Sequence, residues 1–229
     1  MENLVTILSL QRYADDQWQE AKATLTSECT LSIYVNDILH SRQTVSPSDL
    51  NAFVIGRLIA DNVIHAVADI QSIRIDGNTM EARVVANSVC CDKPRYICSA
   101  EEPKWEISWL TQLSEALRRQ TPLYSLCQNT HSCFLMQNGR VLKCMEDIGR
   151  HNAFDKIIGW ADLARIPLET CIVFTSGRIP KDMVSKAIHI GLRILVSKAM
   201  PTAEAVLTAR DHGIILLHIS DGLGIMRFS

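Results

Sequence analysis

The sequence predicts an α/β fold in which a helix-covered sheet forms the C-terminal half and a smaller α+β part precedes it. Short apolar runs at residues 171–175, 194–196 and 214–219 alternate with helical patterns. Such alternation implies crossover connections and a sheet with helices on its faces. Hydrophobic residues make up 47% of the 229 residues, which is enough for a sizeable buried core.

Three segments are expected along the chain. Residues 1–27 carry acidic and amide side chains without a clear period, which predicts a partly ordered lead-in. Residues 28–104 are expected to form an N-terminal α+β part that ends in a cysteine-containing loop. Residues 105–229 are expected to form the C-terminal α/β domain.

The N-terminal part begins with two predicted strands in residues 31–44, joined by a tight turn at Asn36-Asp37. Ser46 suits the N-cap of a helix that follows directly. Residues 69–86 predict a second hairpin.

In the C-terminal domain, Asn138-Gly139 is a strong signal for a hairpin turn between two strands. A helix is expected to follow the second strand, with Asn152 as its cap. Thr202 can cap the last helix, and Gly213 suits the position just after its end.

Composition and charge exclude several classes of protein. The formal net charge of -2 gives no electrostatic reason to expect general nucleic-acid binding. No run of about 18 apolar residues predicts a transmembrane helix, and the N-terminus lacks the pattern of a secretory signal. We therefore expect a cytoplasmic protein whose eight cysteines are mostly reduced. None of them has CxxC spacing, so no metal ligand set is predicted.

Residues 146–156 (EDIGRHNAFDK) are rich in charged side chains and lie where a predicted hairpin is followed by a predicted helix. Arg150 and His151 would lie at the N-terminus of that helix, which favours anions. The alternative is a solvated helix cap with surface ion pairs.

A second motif, Ser176-Gly177-Arg178, directly follows the strand at residues 171–175. Ligands of open α/β sheets bind beyond the carboxyl ends of the strands. An anionic ligand could bind there to the Ser176 hydroxyl, to the backbone at Gly177, which a ligand can approach closely, and to the Arg178 guanidinium group. Lys186 adds a positive charge. An ordinary strand-to-helix turn is the alternative.

The third motif is the cysteine loop with Cys90, Cys91 and Cys98. A thiol whose pKa is lowered by neighbouring cations can act as a nucleophile or carry a persulfide, and Lys93 and Arg95 are close in sequence. A small buried apolar residue is the alternative.

A fourth cluster comprises Cys127, His131 and Cys133. His131 either lines the same pocket or is a hydrogen-bonded histidine at the start of a strand. Cys29, Cys144 and Cys171 lie in apolar strand contexts and are expected to be inert.

Residues 146–159 (EDIGRHNAFDKIIG) resemble the ED-[IV]-GRHNA-x-DK-x-IG signature of the FdhD/NarQ family of formate dehydrogenase accessory proteins. Further segments agree in order, among them Ser176-Gly177-Arg178 with Lys186 and residues 194–204 (ILVSKAMPTAE). The resemblance covers most of the chain from residue 28 to residue 229.

The resemblance implies a sulfurtransferase that takes a persulfide sulfur from a cysteine desulfurase. It passes this sulfur to the molybdenum of a bis(pterin guanine dinucleotide) cofactor destined for formate dehydrogenase. It also implies a homodimer and a cytidine-deaminase-like C-terminal domain. Cys90 would carry the persulfide, with Cys91 and Cys98 as substitutes. The residues expected to contact the cofactor are His131, Arg150, His151, Asn152, Asp155, Lys156, Ser176, Gly177, Arg178, Lys186, Ile219, Ser220, Asp221, Gly222, Leu223 and Gly224.

The chain departs from the family pattern in its chemistry-bearing segments. The family loop reads CGxC; here Cys90 keeps the first cysteine and Lys93 stands at the place of the second. In the terminal segment, Asp221 and Gly224 replace two arginines, and an aspartate repels phosphate. A non-catalytic cofactor-binding chaperone is therefore the second candidate. A zinc deaminase fits poorly because the H-x-E and PC-x-x-C motifs are absent from the sequence.

Overall fold

A computed structural model describes residues 4–87, 104–220 and 224–229 of the chain. The strands are β1 Val5–Ala14, β2 Gln17–Thr26, β3 Cys29–Val35, β4 Ile38–Val45, β5 Ile70–Asp76, β6 Glu81–Ala86, β7 His131–Gln137, β8 Arg140–Asp147, β9 Cys171–Thr175, β10 Ile194–Ser197, β11 Ile215–Ser220 and β12 Gly224–Arg227. The α-helices are α1 Leu50–Ala60, α2 Ile107–Arg119, α3 Pro122–Cys127, α4 Arg150–Leu163, α5 Lys181–His189 and α6 Ala203–Asp211. None of these helices is both long and apolar enough to cross a membrane.

The larger sheet has six strands in the order β12-β11-β10-β9-β7-β8. Strands β9, β10 and β11 are parallel, while β7 runs antiparallel to both β8 and β9. Helix α2 packs on one face through Leu110 and Leu113, and α4, α5 and α6 bury apolar residues in the core of the other face. The predicted α/β class and the helix-covered sheet are confirmed.

The smaller sheet has the order β4-β3-β6-β5. Its first turn, at Asn36-Asp37, has φ values of 48° and 64°. Asn138 and Gly139 in the β7–β8 turn also have positive φ. Both hairpin turns are therefore where the sequence predicts them, with the left-handed backbone that such two-residue turns require.

Helices α1 and α4 cross in close contact and join the two sheets. A Cβ atom on Gly56 would overlap the backbone carbonyl of Asp155, and one on Gly159 would overlap that of Ala52. The absence of side chains at both glycines lets the two backbones meet. The buried core around this crossing includes residues of both sheets, such as Ile33 and Val173.

The structure corrects the expected lead-in. Residues 5–26 form an antiparallel hairpin, β1–β2, whose turn is at Asp15-Asp16 with φ values of 52° and 60°. The two strands pair fully with each other, so backbone hydrogen bonding orders a segment that has no clear hydrophobic period.

Two predicted helix caps are also wrong. Helix α1 begins at Leu50 with Asp49 as its N-cap, and the Ser46 hydroxyl instead accepts a hydrogen bond from Ile148 N at 3.1 Å. Helix α4 begins at Arg150 with Gly149 as its N-cap, so Asn152 lies inside the first turn. The Thr202 cap is confirmed, because its side chain accepts a hydrogen bond from Ala205 N.

Candidate functional site

The carboxyl edge of the larger sheet gathers polar groups from several strands. Parallel strands β9 and β10 end there at Thr175 and Ser197, and β7, running the other way, begins there at His131. Strand β8 ends opposite His131 at Asp147 and leads into α4. The edge therefore places the Ser176-Gly177 turn, His131 and the start of α4 next to one another.

Gly177 allows His131 and Arg150 to lie side by side. A Cβ atom on Gly177 would come within 2.9 Å of Arg150 Cβ and 3.3 Å of His131 Nδ1. The Ser176 hydroxyl accepts a hydrogen bond from Ser132 N at 3.0 Å and lies 3.4 Å from His131 Nδ1. Any larger residue at position 177 would separate the imidazole from the guanidinium group.

The surroundings of His131 at this edge favour its neutral form. Burial lowers the pKa of His131, and the positive charge of Arg150 lowers it further. A neutral imidazole has one donor and one acceptor nitrogen, so His131 can meet a ligand without adding charge.

Arg150 supplies a hydrogen-bond donor beside this edge. Its Nε is buried and has no hydrogen-bond partner among the described residues. Arg150 is also the first residue of α4, where free backbone N–H groups and the helix dipole favour anions. A buried guanidinium donor beside a helix N-terminus suits a phosphate oxygen.

An open groove of about 1390 Å³ extends from Arg150 across α1, α4, α5 and strand β4. Its charged lining residues are Arg42, Arg57, Arg150, Lys181, Lys186, Asp61, Asp182 and Glu204, together with His40, His151 and His189. Five cationic side chains line the groove with three carboxylates, and a fourth carboxylate, Asp155, lies buried against Lys186 and Arg57, so a small excess of positive charge remains to attract anions.

His151 lies on the groove side of α4. Its Nε2 is 3.0 Å from the Asp182 carboxylate on α5. Burial lowers the pKa of His151, although the carboxylate opposes that change.

A buried chain of charges lies beneath the groove. Lys186 Nζ donates to both carboxylate oxygens of Asp155, at 2.6 and 2.8 Å. Arg57 Nη1 also donates to Asp155, at 3.3 Å, and Arg57 Nε lies 2.7 Å from Asp61. Asp155 is fully buried, so it anchors two of the cationic side chains that line the groove.

A second buried pair fixes the start of α4 to the segment before α1. Lys156 Nζ lies 2.7 Å from Asp147, and both side chains are completely buried. Asp147 also accepts hydrogen bonds from Asn152 Nδ2 at 2.8 Å and from Ser46 N at 3.0 Å.

The structure places three of the predicted cofactor contacts, Asn152, Asp155 and Lys156, in buried pairings within the protein. Asp155 and Lys156 are completely buried and shape the site from below, whereas Asn152, whose Nδ2 donates to Asp147, also lines the groove. Lys186 lines the groove, but its ammonium group is paired with Asp155.

Among the remaining predicted ligand contacts, those that the structure describes lie around the same edge. Arg178 is exposed just after Gly177, and Ile219 and Ser220 end β11. Gly224 starts β12 with a φ of 74°. Asp221, Gly222 and Leu223 lie outside the described residues, as do Cys90, Cys91 and Cys98.

Three of the described cysteines are poor nucleophiles. Burial raises the pKa of Cys133 to about 12 and that of Cys171 to about 11, and it also raises the pKa of Cys144. A thiol needs its thiolate form to attack sulfur, so these three are unsuited to carry a persulfide. This agrees with the prediction that Cys144 and Cys171 are inert, and it adds Cys133, which the sequence had placed in the cluster with Cys127 and His131.

Sequence reasoning missed several lining residues of the groove, some of them in the N-terminal part. Arg42 comes from β4, Arg57 and Asp61 come from α1, and Lys181 and Asp182 come from the start of α5. Arg57 has no motif around it. Its i,i+4 spacing to Asp61 is the one signal in the sequence that could have suggested an ion pair.

Comparison with known proteins places the chain in a family. The sequence profile described as the FdhD/NarQ family matches residues 26–99 and 89–226. The chain belongs to the FdhD/NarQ family. Identity to individual FdhD proteins is low, which makes this chain a divergent member and confirms the resemblance of the 146–159 run.

Relatives of similar length match nearly the whole chain. The sulfur carrier protein FdhD of Staphylococcus haemolyticus is 27% identical over 242 residues, which cover 93% of this chain and 91% of the relative. Protein FdhD of Methanocaldococcus jannaschii is 26% identical over 215 residues, with 93% and 92% covered. A crystal structure of a candidate formate dehydrogenase accessory protein from Desulfotalea psychrophila has a TM-score of 0.85 at 26% identity, with 99% and 97% covered.

Proposed function

We propose that this FdhD/NarQ protein carries sulfur as a persulfide from a cysteine desulfurase to the molybdenum cofactor of formate dehydrogenase. The observation that carries the proposal is that Arg150, His131 and Gly177 lie in contact at the carboxyl edge of the larger sheet, in a chain that belongs to this family. Relatives over nearly the full length are named sulfur carrier proteins, and the structural neighbour is a candidate formate dehydrogenase accessory protein.

The loading of Cys90 is a thiol exchange at a sulfane sulfur. The Cys90 thiolate attacks the outer sulfur of the donor persulfide, a new S–S bond forms at Cys90, and the donor cysteine leaves as a thiolate. No external oxidant is needed, because one S–S bond replaces another. Cys90 is preferred because it retains the first cysteine of the family loop, whereas Cys133, Cys144 and Cys171 have raised pKa values.

The cofactor, a bis(pterin guanine dinucleotide) with molybdenum, is the substrate in this proposal. Its pyrophosphates require cationic donors, and the buried Nε of Arg150 together with Arg42 and Lys181 can supply them. The groove exceeds the roughly 300–1,000 Å³ of a typical small-ligand pocket, which suits an extended nucleotide-bearing ligand. Neutral His131 can accept or donate a hydrogen bond at the ligand's polar edge.

A non-catalytic chaperone that binds the same cofactor is the second candidate. Lys93 at the place of the second loop cysteine favours it, because a two-cysteine relay is then impossible at those positions. The two candidates share the groove and differ only in whether a thiol receives sulfur.

Persulfide transfer separates these candidates. The full chain is incubated with a cysteine desulfurase and cysteine, and peptides are searched for an added mass of about 32 Da, one sulfur atom. The variants Cys90→Ala, Cys91→Ala and Cys98→Ala are compared with Cys127→Ala, a matched control for a partly exposed cysteine outside the loop.

The expected result is an adduct on Cys90 that disappears only in Cys90→Ala. Loss in Cys91→Ala or Cys98→Ala alone would move the carrier within the loop. Absence of any adduct in the unaltered chain, with the desulfurase active on another acceptor, would reject sulfur transfer and leave the chaperone.

A further inference from the structure

The hydrogen-bonding contacts of His131 lie on one side of its ring. Its Nδ1 is 3.4 Å from the Ser176 hydroxyl oxygen. A Cβ atom on Gly177 would lie within 3.3 Å of this nitrogen and 3.0 Å of Arg150 Cδ, so Nδ1 is also the nitrogen beside Arg150. Nε2 is on the other side of the half-buried ring and has no hydrogen-bond partner among the residues that the structure describes.

The Ser176 hydroxyl is already an acceptor. Ser132 N donates to Ser176 Oγ at 3.0 Å, and Ser176 N donates to Ser132 O at 2.9 Å, so a pair of hydrogen bonds fixes the position of Oγ. The hydroxyl hydrogen is left for another acceptor. Within the described part of the chain, the acceptor in reach of this hydroxyl is His131 Nδ1.

Charges around the ring favour the same assignment. In a neutral imidazole, one nitrogen carries the hydrogen and the other a lone pair. A positive charge favours the lone pair on the nitrogen beside it, and Arg150 lies beside Nδ1. Burial, the largest cause, and the charges of Arg150 and His151 lower the pKa of His131, whereas Asp147 on β8 raises it.

We propose that Ser176 is a positioning residue that fixes His131 in the tautomer with its hydrogen on Nε2. The sequence predicts that Ser176 contacts the cofactor, but its hydroxyl is engaged with Ser132 and His131. Ser176 therefore acts on the ligand through His131. This inference rests on the proposed function, because it assigns a role within that same site.

The tautomer decides which ligand group His131 can meet. With its hydrogen on Nε2, His131 offers the ligand a donor, and the Arg150 guanidinium group beside it has donors alone. A ligand group that carries only acceptors fits both residues, and the phosphate oxygens of the cofactor are such a group. The guanine edge also carries an amino donor, which a donor nitrogen would oppose. His131 is therefore assigned to a phosphate of the cofactor.

NMR spectroscopy of the full chain labelled with ¹⁵N-histidine tests the inference. The two nitrogens of a neutral imidazole differ in chemical shift according to which one carries the hydrogen, so spectra above neutral pH identify the tautomer of each of the seven histidines. The signals that disappear in His131→Gln belong to His131. His218 is an internal control with the opposite tautomer, because its Nδ1 lies 3.1 Å from Ser197 O and a carbonyl oxygen only accepts.

The unaltered chain is expected to carry the hydrogen on Nε2 of His131 and on Nδ1 of His218. Ser176→Ala is expected to give a mixture of tautomers at His131. It is also expected to raise the pKa of His131 by about 0.5 to 1, because a hydrogen bond to the neutral ring is lost. Ser176→Thr keeps a hydroxyl and is expected to preserve the Nε2–H form.

Ser125→Ala is the matched control, because it removes an exposed hydroxyl on α3 that bonds to Thr121 O. It is expected to leave both the tautomer and the pKa of His131 unchanged. Far-ultraviolet circular dichroism confirms that each variant is folded. The comparison of His131 with His218 in the unaltered chain needs no variant at position 176.

Inorganic pyrophosphate is the probe for the ligand group. It is expected to shift the Nε2 signal of His131, whereas guanosine, which has no phosphate, is expected to leave this signal in place. Ser176→Ala is expected to weaken pyrophosphate binding by about twofold or more, because only the fraction of molecules in the Nε2–H form binds fully.

A hydrogen on Nδ1 of His131 in the unaltered chain, or a tautomer unaffected by Ser176→Ala, would overturn the positioning role. An Nε2 signal that responds to guanosine, or that ignores pyrophosphate, would overturn the assignment to phosphate. The spectra involve no sulfur transfer, so failure of persulfide formation and failure of this inference are distinguished.

Discussion

At the scale of single residues, the charged residues of the 146–156 run include one group that lines the groove and another that is buried. Arg150 and His151 line the groove, whereas Asp147, Asp155 and Lys156 are fully buried and paired inside the protein. Burying one member of such a pair is unfavourable unless its partner is present. The buried group therefore contributes to stability, and through Lys186 and Arg57 it positions the charges of the groove.

Asp155→Asn is expected to destabilise the protein by about 3 kcal/mol, because Lys186 and Arg57 would lose the carboxylate between them. The free energy of unfolding is measured by urea denaturation at constant pH.

Asp37→Asn is the control for the loss of a carboxylate. Asp37 also pairs with an arginine, Arg83, but its side chain is 90% exposed. Its loss is expected to change the free energy of unfolding by about 0.5 kcal/mol or less. Similar effects of the two substitutions would contradict a structural role for Asp155.

The sequence could not distinguish these two groups. A charged residue in a motif has the same letter whether it meets a ligand or another side chain. The partners that decide the matter for Asp155 are Lys186, 31 residues later, and Arg57, 98 residues earlier. For Asp147 it includes Ser46, 101 residues away. Positions Arg150, His131 and Gly177 were predictable because they follow or precede strands at one edge of the sheet.

At the scale of elements, the crossing of α1 and α4 depends on glycine. Gly159→Ala is expected to destabilise the protein by about 3 kcal/mol, because the new methyl group would overlap the Ala52 carbonyl and a backbone cannot move aside as a side chain can.

Thermal and urea denaturation measure this effect, with Gln112→Ala on the exposed side of α2 as a control. The control is expected to stay within about 0.5 kcal/mol of the unaltered protein. A Gly159→Ala protein as stable as the control would show that the two helices can move apart without a loss in the free energy of unfolding.

Elements were predictable where local chemistry decides them. The Asn36-Asp37 and Asn138-Gly139 turns need positive φ, and Thr202 caps α6 with its own side chain. The β1–β2 hairpin was not predictable, since both of its faces are largely exposed and its apolar residues follow no single period. Helix α3 was not predictable from local sequence either, because its first turn is held by Glu146, which accepts hydrogen bonds from Leu123 N and Tyr124 N.

At the scale of the whole molecule, the two sheets are expected to unfold together. One buried core includes residues of both, among them Ile33 of β3, Phe154 of α4 and Val173 of β9. A shared core of this kind produces a cooperative transition.

Differential scanning calorimetry is expected to show a single transition, with equal calorimetric and van't Hoff enthalpies, at one fixed protein concentration. Two separated transitions would show that the parts before and after the cysteine loop are independent units. Urea denaturation followed by tryptophan fluorescence and by circular dichroism should give coincident curves.

The groove is itself a property of the whole chain. Its cations come from β4, α1, α4 and α5, which are brought together only when α1 packs on α4. No local pattern could have indicated that Arg42 and Lys181 line the same groove as Arg150.

The buried ion pairs and the glycine crossing have a consequence for how this family evolves. A lineage that gave up sulfur chemistry would still be selected to keep Asp147, Asp155, Lys156 and Gly159, since a chain that cannot fold is degraded whatever its task. The sequence of residues 146–159 would therefore be retained after the activity is lost. Divergence between carriers that keep the activity and those that have lost it is to be sought around Cys90 and in residues 221–224, the segments in which this chain departs from the family pattern.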